Sequence, residues 1–447
     1  MSKGSFIRDL RAELSVFALI VTFGSQLHLT AQTCSLSIRQ GTSDSQFDSI
    51  FTQDGPGTGL EPAGMPGWTG ADSTYSIELP NGDSAFFFSD SYIGESPAKP
   101  GDSTVTTDAN GLRTRVPNCG PPICDPPTNL YHSHNSVVIR NKLSGMLTTL
   151  TGPPDLINGY ASSYFVPANA AATGHFYWMG DSVVVQTDAA GTQKLWVFLL
   201  EFDNTWTYFG SAIAQLALPS MQIEIIQPLL NPPTSSNINW GSALWLDGAF
   251  GNYTLYIYGI KMTGTQKRPY VAKAVTAGNF LDVANIANWT AWNGSAWSGT
   301  PLDAAPIIGS TGDPNNLADS ISDEYSVKKL HTRSGDSFVL VGMDTSVPYG
   351  TWRDITLYTA CQPQGPFSAK TVVYSTPESG SNRVPGMAPG QTLRANMLVY
   401  NPHIHPQFTS KGKLLISYNI NAGNSGDLLF ADTYRPRFVR VDIKGLR

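Results

Sequence analysis

Charge is scarce in this chain. Of its 447 residues, 28 are Lys or Arg and 34 are Asp or Glu, leaving a formal net charge of −6. No basic stripe runs through it, so nucleic acid is not expected as a partner. Cysteine is scarcer still, with four in all. No partner Cys or His recurs around them at a metal-ligand interval, which argues against a zinc site and leaves disulfides as their use. A long heptad or amphipathic helical pattern is missing, as are a Gly-rich phosphate loop opening a helix and a Ser-centred nucleophile elbow; Asn293-Gly294-Ser295 is merely loop-like. Nucleotide-binding and serine-hydrolase readings lose their footing with them.

What is abundant is glycine (42), proline (31) and aromatic residues (11%), the mark of many short strands joined by turns. Aromatic strand-like runs recur at Phe86-Phe87-Phe88, Phe176-Tyr177-Trp178, Leu195 to Phe198, Tyr253 to Tyr258, Phe338 to Val341, Ile355 to Tyr358 and Leu414 to Tyr418. From Gly67 onward the chain divides into about five uneven β-rich units. A second unit begins near Tyr131 and runs to Leu150, a third starts at His175, a fourth at Trp240 and a fifth at Asp323. Strand then returns over Asn401 to Asn421, and Phe430 to Val441, with Arg435 and Arg437, closes the series as an architectural element. The expected fold class is all-β, a single domain of propeller blades.

The N-terminus has the features of an export signal. Lys3, Arg8 and Arg11 precede an apolar run from Leu14 to Leu29, and Thr30-Ala31-Gln32 offers cleavage after Ala31. The expected division is a signal peptide over 1–31, an extension over 32–66 and the propeller over 67–447, with a secreted or periplasmic product. Lipid anchoring through Cys34 is the lesser alternative, because Thr33 is larger than the residue usually found before a lipidated Cys. The apolar run is too short for a stable membrane anchor after cleavage. Export permits disulfides: Cys119 and Cys124 flank the compact loop Gly120 to Ile123, which leaves Cys34 to join Cys361.

The most informative stretch is GWTGADSTYSIELPNGDSAFFFSDSYIGE, Gly67 to Glu95. Tyr75, Ile77 and Leu79 alternate with Ser76 and Glu78 as in a half-buried strand. Pro80-Asn81-Gly82-Asp83 supplies a tight turn, its Asn-Gly pair taking the positive φ angles, and Ser84 to Ser89 reads as a more deeply buried strand. Opposite residues of such a hairpin keep a constant index sum, and that sum sets Asp72 opposite Asp90 or one step off. Like charges facing one another at roughly 4.5–5.5 Å between Cβ atoms destabilise a sheet, so stability alone does not account for them. Coupled carboxyls do suit glycoside hydrolysis, where one group protonates the leaving oxygen and the other serves as nucleophile or base. The plainer explanation is that Asp72 caps a strand and Asp90 binds loop amides.

GWTGAD, S-x-x-L-P-N-G-D and F-x-x-S-D-S-x-x-G together resemble the opening blade of a propeller family long catalogued as a domain of unknown function. HNSVV, YWMGDSVV, WGSALWLDG with LYIYG, CQPQGPF and HIHPQFTSKGKLLISYNIN resemble its later blades, so the likeness covers Gly67 to Val441. Related propellers are the arabinanase, β-xylosidase and levansucrase clan and a branch resembling bacterial endo-D-arabinanases. The resemblance implies five blades around an axial pocket, action on a furanose- or pentose-containing polysaccharide or oligosaccharide, and paired acids at Asp72 and Asp90. Asp90 departs from the pattern in its flanks, Phe-Ser-Asp-Ser in place of Phe-Gly-Asp-Thr. Facing carboxyls at roughly 5–5.5 Å would make the enzyme retaining, with Asp90 as nucleophile and Asp72 as acid/base. No cofactor is expected, apart from a structural calcium at the axis that the resemblance allows.

Other candidates carry plainer alternatives. His403 and His405 lie two apart, so on a strand they share a face and line a pocket, hold a metal or simply bond to backbone. His134 and Asn135 suit hydrogen bonds to sugar hydroxyls, Trp178 suits stacking and Asp181 accepting; alternatively Trp178 packs between blades and Asp181 turns with Gly180. Glu324 is a third acid, or a solvated turn after Asp319 and Asp323. A propeller that binds glycan without cleaving it is the rival reading. Phosphorolysis is a further one, but it needs a cationic phosphate site, and no basic cluster lies near the acids in sequence.

Overall fold

Strand periodicity explains why a ring forms. In the strand Ser84–Phe88 every side chain is buried, and successive side chains point to opposite faces. Phe86 and Phe88 pack with Phe51, Trp68 and Phe438, while Ala85 and Phe87 pack with Tyr177, Leu195 and Val197. A sheet that is apolar on both faces has to be covered on both, and sheets arranged radially cover one another. The computed structural model describes residues 34, 36–52, 67–94, 103–117, 132–153, 161–231, 237–263, 266–308, 319–333, 335–384, 387 and 390–446.

Five antiparallel sheets form the blades of a β-propeller. The first holds Tyr75–Glu78, Ser84–Phe88, Ser136–Arg140 and Leu147–Leu150; the second runs from Phe176 to Pro228, the third from Asn239 to Ser298 and the fourth from Ser326 to Ser375. The fifth comprises Met397–Ile404, Lys413–Ala422 and Tyr434–Asp442, and its outer edge is the early strand Thr42–Ser43. A hydrophobic core lies between each neighbouring pair of blades, including the first and the last.

Two sequence boundaries need correction. Residues 136–150 complete the first blade and do not begin a second: Phe87 pairs with Val137 and Phe88 with Ser136. The long excursion between those strands, which carries the small ladder Ser103–Thr107 with Arg113–Pro117, made them look like separate units. Ring closure also reaches into the segment read as an extension, since Thr42 pairs with Arg440 and Ser43 with Val439. Arg435 is fully buried; its Nε donates to Ala431 O at 2.9 Å and its guanidinium lies over Trp68. It is architectural, as its position suggested.

Cys34 is disulfide-bonded to Cys361, tying the entry of the chain to the fourth blade. Cys119, Cys124 and the proposed signal peptide lie outside the described residues. No helix among the described residues is long and apolar enough to cross a membrane.

The hairpin turn differs in detail from expectation. Gly82 alone has positive φ, +84°, and its N–H bonds to Leu79 O at 2.8 Å. Pro80 cannot take positive φ, so the turn uses Pro80-Asn81 in the ordinary right-handed sense and leaves the left-handed step to Gly82.

Candidate functional site

The register of the hairpin holds on both sides of a break. Tyr75 opposes Phe87, and farther out Ala71 opposes Ser91. Between these ladders Ser73 and Thr74 adopt positive φ, 69° and 28°, and Asp72 stands across from Asp90, with Ser89 N–H donating to Asp72 O at 3.1 Å. The index argument from sequence therefore places the two aspartates correctly on the backbone.

The innermost strands of the other blades are interrupted in a similar way. Register shifts occur at Met179/Ser182, Trp240/Ala243 and Tyr400/His403. In the fourth blade the bridge Ile321 to Asp344 and the ladder beginning at Ser326 and Val341 are also out of step. Such bulges re-aim side chains. Crowding at these bulges favours glycine: a Cβ on Gly180 would stand 2.6 Å from Gly241 O, and Gly241 has φ +111° with its Cβ position 2.6 Å from the Phe198 side chain.

All five blades line a cleft of about 690 Å³. Asp72 and Glu324 both face it, from the first and fourth blades, together with Trp178, Asp323, Tyr400 and Asn401. Tyr400 Oη donates to Asp72 Oδ2 at 2.9 Å and accepts from Asn421 Nδ2 at 3.1 Å. Asp72 Oδ1 is buried and accepts no hydrogen bond. Burial, then the nearby Asp90 charge, push the Asp72 carboxyl up to about 7, against the pull of the Tyr434 and Tyr400 hydroxyls.

Glu324 is 5% exposed, and burial followed by the charge of Asp72 raises its carboxyl well above the usual range. Ser73 Oγ lies 2.7 Å from Glu324 Oε1 and 2.7 Å from Ser89 Oγ. His403 Nε2 lies 3.3 Å from Glu324 Oε2, and its Nδ1 lies 3.3 Å from Ser326 Oγ. Ser326 Oγ already accepts from Ile404 N–H at 3.0 Å, so its hydroxyl hydrogen is free for Nδ1. That leaves the Nε2 hydrogen of a neutral imidazole to point at Glu324. Burial keeps His403 neutral, with its proton affinity well below the ordinary value.

Asp90 is absent from the described cleft lining. Its Oδ1 accepts from Trp178 Nε1 at 3.0 Å and lies 3.1 Å from His134 Nδ1. Asn135 is fully buried, with Nδ2 donating to Phe165 O and Tyr177 O at 2.9 Å each; it joins the first two blades and has no donor left for a sugar. Asp181 accepts from Leu244 N–H at 2.8 Å and Lys328 Nζ at 2.7 Å. His405 is buried beside Ser76, its Nδ1 2.6 Å from Ser76 Oγ, and burial pushes its imidazole down to about 3. Neither His403 nor His405 is among the described cleft-lining residues.

The axial residues do not suit the calcium that the resemblance allows. Calcium takes six to eight oxygens, whereas the buried carboxylate of Asp181 is matched by the partly buried ammonium of Lys328. The described residues contain one group of three His, Cys, Asp or Glu side chains close enough to share an ion: Asp90, His132 and His134.

Sequence reading missed Tyr400, Trp206, Tyr349 and Trp352. Trp206 is 54% exposed and packs its ring 5.2 Å from Trp178. Across the cleft Tyr349 and Trp352 meet edge to face at 5.0 Å, with Lys267 Nζ 5.6 Å from the Trp352 ring. Lone aromatic residues in loops carry no periodic signal; Trp206, at φ +64°, is unmarked in the sequence around it.

Residues 127–443 match a family profile described as a domain of unknown function, DUF5005. No curated protein matches significantly. Among solved structures, a protein from Bacteroides ovatus ATCC 8483, named only provisionally as a hydrolase, shares 20% identity with a TM-score of 0.60 over 89% of each chain. A GH43_1 enzyme from Xanthomonas citri in complex with xylotriose shares 10% identity with a TM-score of 0.43, over 90% of this chain and 93% of that one. An α-L-arabinofuranosidase from Podospora anserina in complex with cellotriose shares 10%, with a TM-score of 0.40 over 91% and 97%. The first of these likenesses bears on fold; at such identities none bears on chemistry.

Proposed function

We propose, for a chain that belongs to the DUF5005 family, that it is a glycoside hydrolase acting on a pentose- or furanose-containing polysaccharide after export. The observation that carries this reading is the placement of Asp72 and Glu324 in one cleft, where the charge of Asp72 strengthens Glu324's hold on its proton and burial with the Asp90 charge does the same for Asp72. Two carboxyls so coupled hold a proton between them near neutrality, which is the ground state glycoside hydrolysis needs.

Glu324 is the better proton holder, being more deeply buried, and would donate to the leaving oxygen. Asp72, kept nearer ionisation by Tyr400, would attack the anomeric carbon or activate water. The sequence reading gave these parts to Asp72 and Asp90. We reassign the second carboxyl because Asp90 stands behind Trp178 with Oδ1 already engaged, and its charge acts on Asp72 from there. Retention was expected from Asp72 facing Asp90; for the Asp72 and Glu324 pair, NMR of the first-formed anomer decides the outcome. The aromatic residues on opposite walls offer the faces on which sugar rings stack.

The test is hydrolysis of a panel of pentofuranosyl and pyranosyl polysaccharides by the wild type and by folded Asp72→Asn, Glu324→Gln and Asp90→Asn variants. The proposal expects Asp72→Asn and Glu324→Gln each to lower kcat by about 10²–10⁴-fold, with Asp90→Asn retaining measurable turnover. Loss in Asp90→Asn with survival of Glu324→Gln would return the pair to the two aspartates. Binding of a glycan with no cleavage by the wild type would replace the hydrolase with a recognition module.

A further inference from the structure

Ser91 and Ser133 form an isolated antiparallel bridge, exchanging backbone hydrogen bonds of 2.7 and 3.0 Å. In that register His134 falls opposite Asp90 and His132 opposite Tyr92. Being two residues apart on extended chain, the two histidines project to one side. The result is a carboxylate facing two imidazoles. His134 Nδ1 lies 3.1 Å from Asp90 Oδ1 and His132 Nε2 lies 3.8 Å from Asp90 Oδ2, and the ligand atoms of all three residues fall within 4.8 Å of one another.

We propose that Asp90, His132 and His134 form a binding site for a divalent transition-metal ion of the zinc class. Three observations separate this from a plain hydrogen-bonded cluster. First, His132 Nε2 is buried with no hydrogen-bond partner, and at 3.8 Å from Asp90 Oδ2 it is too far to bond directly. Two atoms sharing a metal at about 2.0–2.1 Å sit roughly 3–3.5 Å apart, so a small inward movement closes the shell. Second, the ligands are oriented from behind. The His134 ring stacks on Phe176 at 3.7 Å and 12°, and Trp178 Nε1 holds Asp90 Oδ1, leaving Oδ2 as the outward donor. Outer partners of this kind set ligand direction at metal sites. Third, the imidazole rings are perpendicular, with centroids 5.3 Å apart, so they approach the shared point from different directions instead of stacking.

The donor set selects the ion. Two neutral imidazoles and one carboxylate suit zinc and its first-row neighbours and are a poor match for calcium or magnesium, which prefer oxygen shells. With three protein ligands, the remaining positions fall to water. On binding, His134 gives up to solvent any hydrogen it shares with Asp90. The site does not depend on the hydrolase reading; it is joined to the cleft through the Trp178 indole.

The experiment is calorimetric titration of the chelator-stripped full-length protein with Zn²⁺, and separately Ca²⁺, alongside folded His132→Ala, His134→Ala and His331→Ala variants. Co²⁺ substitution followed by visible absorption provides a second readout. The proposal expects one equivalent of Zn²⁺ and no Ca²⁺ at this site, Zn²⁺ affinity weakened at least tenfold in His132→Ala and in His134→Ala, and unchanged affinity in His331→Ala. Cobalt d–d bands should appear in the wild type and be lost in both site variants. Absence of saturable Zn²⁺ binding, or equal affinity and stoichiometry in His132→Ala and His134→Ala, overturns it.

Discussion

Tyr400 donates its hydroxyl hydrogen to Asp72 across 2.9 Å, joining the last blade to the first over a sequence separation of 328 residues. The bond opposes burial, which pushes Asp72 up to about 7. In Tyr400→Phe that share of the opposition is gone, while the Tyr434 hydroxyl continues to favour the ionised form. A hydrogen bond to a charged group is worth about 1.5–3 kcal/mol, so the acid limb of the pH-rate profile, where Asp72 must ionise, should move about one pH unit or more to higher pH. Profiles measured in chelator check this; an acid limb that stays in place would mean that another group sets it.

Trp206 extends the indole surface of Trp178 into the cleft with more than half its area exposed. Trp206→Ala should raise KM about 3–10-fold, the value of one aromatic face at about 0.5–1.5 kcal/mol, while kcat stays within about twofold. A fall in kcat with KM unchanged would place the indole at the reacting sugar.

Asp48 lies just after the early strand Thr42–Ser43 and accepts from Phe438 N–H in the last strand at 2.7 Å. Burial, partly offset by Arg437, raises its carboxyl to about 6 from 3.8. The folded state therefore binds this proton more tightly than the unfolded chain does. The favourable contribution is complete below about pH 4 and is lost as pH rises through about 6. Asp48→Asn keeps an acceptor for Phe438 without the buried charge. It should stabilise the protein by up to about 3 kcal/mol at pH 7.5 and by little at pH 4, read from denaturation midpoints at the two pH values.

Much of this structure could be read from local pattern, and what could not is non-local. The Asn81-Gly82 turn and the alternation about it were enough to set Asp72 opposite Asp90, because a hairpin's register depends on a few adjacent residues. The Cys34 to Cys361 bond followed from the pairing of the remaining cysteines. Assigning strands 136–140 and 147–150 to the first blade required knowing that an excursion returns to Phe87, which no periodicity records. His403 and His405 sit two apart, as pocket residues would, but the bulge after Tyr400 turns that residue to the cleft and leaves both histidines below it. The surroundings of Glu324 come from Ser73 and His403, in the first and last blades.

Thr42–Ser43 lies at the edge of a sheet whose other members are made last. On a ribosome, four blades have all their strands before the partner of the first strand exists, and contacts of such sequence separation form slowly. Until Tyr434–Asp442 emerges, the early strand is an unpaired edge and the first blade lacks its neighbour, so the Tyr400 to Asp72 contact is assembled only when the circle shuts. The cleft thus waits for the completed chain, and a product cut short before its final strand would lack both its clasp and the full set of groups around Asp72 and Glu324.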